Sequence, residues 1–177
     1  GAGIAGTWQA LALARAGLDV ELHERSAPDL TQSTGHWAGG MLAPWCEAEA
    51  AGPVITRLGT RSLALWREQC PDTPINGTLV VAHHRDRPDF ERFSRLTSNH
   101  ERLDAEALAA LEPALAGNFR DALFFAGEGH VEPRRVLPQL HAKLTQAGVP
   151  IHFGSDGRTT DDDRTTIDCR GIAARDE

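Results

Sequence analysis

The first six residues, Gly1-Ala2-Gly3-Ile4-Ala5-Gly6, run directly into an Ala- and Leu-rich stretch from Thr7 to Ala16, which Gly17 then stops. Glycines spaced GxGxxG constrain a chain severely. One permits the turn, one lets the backbone approach a pyrophosphate, and one lets the following helix pack closely on a sheet. The helix N-terminus, with its unpaired N–H groups and positive dipole end, then faces the negative charge. Taken alone the pattern is weak, because small residues opening an Ala-rich helix also arise from packing.

The next element narrows the reading. Leu18 to His23 alternates apolar and charged residues, with Leu18, Val20 and Leu22 on one side, as expected of a strand with one buried face. Glu24 closes it, 18 residues after Gly6 (24 minus 6). A carboxylate at that position accepts hydrogen bonds from adenosine ribose hydroxyls, so turn and acid together predict a dinucleotide site. The neighbouring Arg25 keeps NADP conceivable. The fingerprint should also follow a strand, and no residue precedes Gly1 here, which predicts a fragment whose first, central strand is missing.

The remaining pattern predicts an α/β architecture with a parallel sheet flanked by helices, and a middle segment contributing to a second, mixed layer interleaved with the first. Ser26 to Pro44 reads as a long loop of the kind that is often functional. Helices are expected over Val54–Gln69, Asp89–Leu96, Asp104–Leu111 and Pro133–Gln146, and strands over Thr78–Ala82, Leu123–Ala126, Val149–Phe153 and Arg164–Cys169. The run Asp161 to Asp163 beside Arg164 reads as a solvated turn.

Composition excludes other classes. The formal net charge is -7, with no basic stripe for a nucleic-acid backbone. No apolar run approaches the ~20 residues that cross a bilayer. Cys46, Cys70 and Cys169 are odd in number and far apart, giving neither a disulfide framework nor a CxxC half-site. A cytoplasmic protein with reduced thiols, no nucleic acid and no membrane partner is expected. Eight His are present, but His83-His84 is adjacent and His36, His130, His141 and His152 lack helical HxxxH or HExxH spacing, so no metal site is expected. Cys46 carries no sequence mark of a depressed pKa, and a thiol mechanism is discounted.

Beyond Glu24 the segment Ser33-Thr34-Gly35-His36-Trp37-Ala38-Gly39-Gly40-Met41-Leu42-Ala43-Pro44 resembles the flavin loop of the D-amino-acid oxidase family. Its small residues let main-chain groups come close to a large planar cofactor. Further matches follow in the family's order: Gly77-Thr78-Leu79-Val80-Val81-Ala82, Leu111-Glu112-Pro113, Gly129-His130-Val131-Glu132-Pro133-Arg134-Arg135-Val136-Leu137 and Asp168-Cys169-Arg170-Gly171. The resemblance spans nearly the whole chain and is nearest the glycine oxidases of thiamine biosynthesis.

That resemblance implies FAD as cofactor, with Gly1, Gly3, Ile4, Ala5 and Gly6 near its pyrophosphate and Glu24 and Arg25 near its adenosine. Thr34, Gly35, Gly39, Gly40 and Met41 would approach the flavin, and the backbone near Gly157, where the family usually has Val, would meet the adenine. His36 and Trp37 replace the more usual Ser and Ala. A Rossmann-like FAD-binding domain would occupy residues 1–75 and 131–177, and part of a mixed-sheet substrate domain residues 76–130. The implied reaction is hydride transfer from a substrate Cα to the flavin, giving an imine, with oxygen as acceptor.

The Arg that pairs with a substrate carboxylate normally lies beyond residue 177, and the chain has no Tyr of the kind that lines relatives' substrate sites. No catalytic residue is therefore named, and the piece alone is expected to be inactive and poorly soluble. Glycine, sarcosine, a D-amino acid or an amine on a modified tRNA base all remain open as substrate, as does a homo-oligomer of the full-length protein. The rival readings are a nicotinamide-dependent dehydrogenase, which would not explain Gly39-Gly40-Met41, and a flavin-binding module without turnover.

Overall fold

A computed structural model describes residues 1–155, 157 and 165–174. The chain divides into two compact units: Gly1–Gly39 with Glu132–Glu177, and Gly40–Val131. The first is thus assembled from both ends of the chain, with the second inserted as one continuous piece.

In the first unit, helix α1 (Ile4–Arg15) leads to strand β1 (Leu22–Glu24), and helix α5 (Pro133–Gln146) leads to strand β7 (Ile151–Phe153). The two strands pair in parallel, with Leu22 opposite Ile151, His23 opposite His152 and Glu24 opposite Phe153. Parallel neighbours need a crossover, and each strand here is preceded by a helix. α1 buries Gly6, Thr7, Ala10 and Leu11, and α5 buries Val136, Leu137, Leu140 and Leu144. Those spacings put each set on one helical face, and the two helices pack together. Each fully buried Leu contributes about 1.5–3 kcal/mol. Ala16 and Gly148 sit past the ends of α1 and α5, and Gly148 takes φ +77°, a value for which glycine has no Cβ penalty.

In the second unit, β2 (Met41–Leu42) pairs antiparallel with β6 (Gly129–His130). Strand β5 (Asp121–Phe125) lies between β3 (Thr78–Val81) and β4 (Glu101–Asp104), antiparallel to both. Helices α2 (Ala48–Gln69), α3 (Arg87–Leu96) and α4 (Ala105–Leu111) accompany these strands. The core is Phe90, Leu123 and Phe125, with Trp45, Cys46, Val80, Ala82 and Phe93 packed against it. Residues 40–75 associate with this second unit, because α2 packs on α3 and β2.

Several expected elements differ in extent. α1 starts at Ile4 rather than Thr7, so the glycine turn itself belongs to the helix entry. β1 is three residues instead of six: its partner begins after Pro150, which has no N–H to extend the ladder and only accepts from the Leu22 N–H. α2 extends back to Ala48 across a break at Gly52, with φ +73° just before Pro53, while Gly59 packs against Pro44. β2, β4 and β6 were not expected from the sequence. No strand forms over residues 165–169. Arg164 and the Asp161–Asp163 run lie outside the described residues.

Candidate functional site

The site is built at the start of α1. Gly3 occupies the N-cap position with no side-chain cap, and no acidic residue stands in the first turn. The first N–H groups of a helix have no intrahelical acceptor, so this end presents donors and a positive dipole to an anion. The glycines earn their places by contact. A Cβ on Gly6 would lie 1.8 Å from the Gly1 carbonyl oxygen, and one on Gly1 would lie 2.7 Å from the Cys169 carbonyl oxygen. Both obstacles are backbone and cannot rotate away.

Behind this turn the Ala2 backbone is tied on both sides. Its N–H donates to Glu24 Oε2 at 2.7 Å. Its carbonyl accepts from the Thr7 hydroxyl at 3.0 Å and lies 2.8 Å from His141 Nε2, which requires the Nε2–H tautomer to donate. Thr7 and His141 were not anticipated as part of this arrangement. Thr7 is the residue after the third glycine, whereas His141 stands 139 residues from Ala2 and only the packing of α5 on α1 brings it there.

Glu24 is buried, with 8 % of its surface exposed. Oε1 accepts from the Ser26 N–H at 2.9 Å and from the Ser26 hydroxyl at 2.8 Å. Burial alone would raise its pKa, but the N–H groups of Ser26 and Ala2 and the Ser26 hydroxyl outweigh that and hold it below the ordinary glutamate value. A carboxylate has about four acceptor positions, and three are used by these bonds. Among the described residues no fourth donor reaches it, which leaves one position of the kind a ribose hydroxyl uses. Arg25, next to it, is exposed.

The first half of the glycine-rich loop lies against the same helix end. Thr34–Trp37 forms a 3-10 turn packed on α5. A Cβ on Gly35 would be 4.0 Å from the Ile4 nitrogen, and one on Gly3 would be 3.2 Å from the Ser33 hydroxyl. Ser33, Gly35, Gly3 and Ile4 therefore converge. Trp37 is held by an Nε1–H bond to the Thr31 carbonyl at 2.8 Å and by the Arg134 guanidinium 5.1 Å above its ring, yet stays 66 % exposed. Gly39 is also exposed. Gly40 and Met41 belong to the second unit, where Gly40 has φ +71° and its carbonyl accepts from the Val131 N–H at 2.8 Å, while Met41 leaves its side chain exposed. Gly157 takes φ +69° beside His23, where a Cβ would sit 3.2 Å from His23 Cβ, so a β-branched side chain would be strained in that conformation.

Cys46 offers no nucleophile. Burial, then the carboxylates of Glu128 and Glu47, push its thiol up to about 11. Glu128 is fully buried, and its Oε1 accepts from the N–H groups of Trp45 and Cys46, both at 2.8 Å.

The profile of the DAO family, described as FAD dependent oxidoreductase, matches residues 1–174. The chain belongs to this family. Its cofactor is FAD. A Rhizobium etli protein carrying the provisional name thiamine biosynthesis oxidoreductase ThiO is 45 % identical over 174 residues, covering 98 % of this chain and 53 % of its own length. Glycine oxidase from Geobacillus kaustophilus superposes with a TM-score of 0.72 at 20 % identity, over 87 % of this chain and 45 % of that one. An L-alpha-glycerophosphate oxidase from Mycoplasma pneumoniae, with FAD bound, superposes with a TM-score of 0.69 at 21 % identity, over 87 % and 43 %. The chain thus spans about half the length of these proteins, and the structural likeness establishes the α/β fold with its parallel sheet.

The residues present fit such a cofactor. The family's dinucleotide needs a close backbone approach and an open helix end for its pyrophosphate, and an acceptor for its ribose. Gly1, Gly3 and Gly6, the uncapped α1 and the spare acceptor position of Glu24 meet each requirement.

Proposed function

We propose that the full-length protein oxidises a small amine or amino acid, glycine first among the candidates, to an imine, with oxygen as acceptor and a place in thiazole formation for thiamine. The observation that carries this is the uncapped N-terminus of α1, walled by Gly1 and Gly6, whose added Cβ atoms would strike backbone, and backed by Glu24. Its occurrence in a chain 45 % identical to the Rhizobium protein supports the choice of substrate class and pathway.

In this reading the N–H groups of Gly3, Ile4, Ala5 and Gly6 bind the pyrophosphate, with Gly1 giving the turn its tightness. Glu24 takes a ribose hydroxyl, Arg25 borders the adenosine and the backbone at Gly157 meets the adenine. The family resemblance assigns Thr34, Gly35, Gly39, Gly40 and Met41 to the flavin. Residues 1–39 and 132–177 belong to the FAD-binding domain, and residues 76–130 to part of the substrate domain. The flavin supplies the two-electron chemistry. This chain's residues hold and orient it, and none is assigned a proton transfer.

The test is the visible spectrum of the protein purified from its complete reading frame, followed by peroxide release with glycine, sarcosine, D-alanine and glycerol phosphate. Flavin absorbance with peroxide strongest on glycine is expected. Flavin with peroxide only on glycerol phosphate would overturn the amine assignment, and a colourless protein that binds NAD would overturn the cofactor assignment.

A further inference from the structure

A second cluster lies on the first unit's parallel strand pair, next to Glu24 and Gly157 but made of other side chains. Glu21 and His23 stand two residues apart, so they project from one side of the chain, and His152 is the direct cross-strand partner of His23. The imidazoles of His23 and His152 stack with centroids 4.8 Å apart. His23 Nε2 lies 3.3 Å from Glu21 Oε1, and His152 Nε2 lies 3.5 Å from Glu21 Oε2. One donor atom from each residue falls within 4.8 Å of the others. Ligand atoms around a tetrahedral zinc ion, at bonds of about 2.0–2.1 Å, are about 3.4 Å apart. His23 Nε2 is buried without a hydrogen-bond partner, while Nδ1 of the same ring lies 2.9 Å from the Ser155 hydroxyl. With Nδ1–H donating to that hydroxyl, Nε2 carries a lone pair that lies off the line to Glu21 Oε1 and has no hydrogen-bond partner among the described residues, and an outer hydrogen bond of this kind orients a metal-bound histidine.

We infer that Glu21, His23 and His152 bind a divalent first-row transition ion, with zinc as the reference species, and that the ion clips β1 to β7. Two imidazoles and a carboxylate are a donor set suited to zinc, and copper or nickel would compete by affinity. The residues are assembled by strand pairing, which is why helical HxxxH spacing does not reveal them.

The experiment titrates Zn2+ by calorimetry into the full-length flavoprotein after chelator treatment, alongside His152→Ala, Glu21→Gln and the control His84→Ala. One saturable site is expected, weakened at least about tenfold by the first two substitutions and unchanged by the third. Added Zn2+ should also raise the melting temperature of the wild type and of His84→Ala, but not of His152→Ala, with flavin absorbance the same in all. Absence of saturable binding in the wild type, or equal binding in all variants, overturns the site and leaves an imidazole–carboxylate pair without an ion.

Discussion

Glu24 and Asp121 are two buried carboxylates, one in each unit, and both are held below their ordinary pKa. They reach that state differently. Glu24 serves the main chain of a turn and a loop, and keeps an acceptor position in reserve. Asp121 is committed to cations: Arg87 grips it with both guanidinium nitrogens, one at 2.6 Å, and Arg102 Nε lies 3.3 Å away. Arg87 and Arg102 also lie over the Phe90 ring, at 4.8 and 5.3 Å, and both pair with Glu91. Burial and a lowered pKa therefore do not separate a ligand site from a structural tie. What the carboxylate serves does: Glu24 ties a close-approach glycine turn at an open helix end, whereas Asp121 ties two guanidinium groups.

The sharpest way to break this distinction is Gly6→Ala. The added Cβ would fall 1.8 Å from the Gly1 carbonyl oxygen, so the turn itself must move. A loss of about 3 kcal/mol or more in stability is expected, with no flavin retained after purification. Chemical denaturation and the flavin-to-protein absorbance ratio check both. A variant that melts normally and keeps its flavin would show that the turn is not the binding element.

Next in size is Glu24→Gln. The amide cannot accept from Ala2 and Ser26 with both ends, so one buried donor loses its partner, at a cost of about 2–3 kcal/mol. Flavin affinity should fall with stability, because the same side chain orders the turn and, in the proposed function, receives the ribose. If equilibrium dialysis finds flavin affinity unchanged, Glu24 is a structural tie like Asp121.

Asp121→Asn supplies the opposite case. It should cost about 1–2 kcal/mol, limited because Arg87 and Arg102 retain some solvent, while flavin stoichiometry in the folded protein stays unchanged. The pH dependence has a definite sign. Hydrogen bonds from Arg87, set against burial and reinforced by its charge, lower the folded pKa below that of the unfolded chain, about 3.9. The stabilisation is complete above the unfolded value and is lost as pH falls through the folded one. Melting curves between pH 7 and 3 should show wild type and Asp121→Asn converging below about pH 4.

The same contrast explains what the sequence made legible. The glycine turn, α5 and the expected end of β1 at an acid are local events: small residues, a Pro at the first helical position and a strand-end carboxylate announce them where they occur. β4 does not announce itself, since Glu101, Arg102 and Asp104 are exposed and its pairing with β5 is set by a distant segment. His141 reaches Ala2 only through helix packing, and the Glu21, His23 and His152 cluster exists only because two distant strands share a register. Tertiary contacts of this kind leave no periodicity behind. The two-unit assignment of residues 40–75 is equally non-local, depending on where α2 packs and not on its own composition.

The smallest effect concerns two helix ends. α4 closes its own N-terminus: Asp104 Oδ1 accepts from the Ala107 N–H at 2.9 Å, and Glu106 adds negative charge to the first turn. α1 has neither device. A cap that serves only its helix should be worth about 1 kcal/mol, so Asp104→Ala should lower stability by that amount and leave flavin content intact. Denaturant midpoints and the absorbance ratio distinguish the outcomes. If Asp104→Ala also strips the flavin, the capped end is not merely structural, and the open end of α1 loses its claim to be the one reserved for an anion.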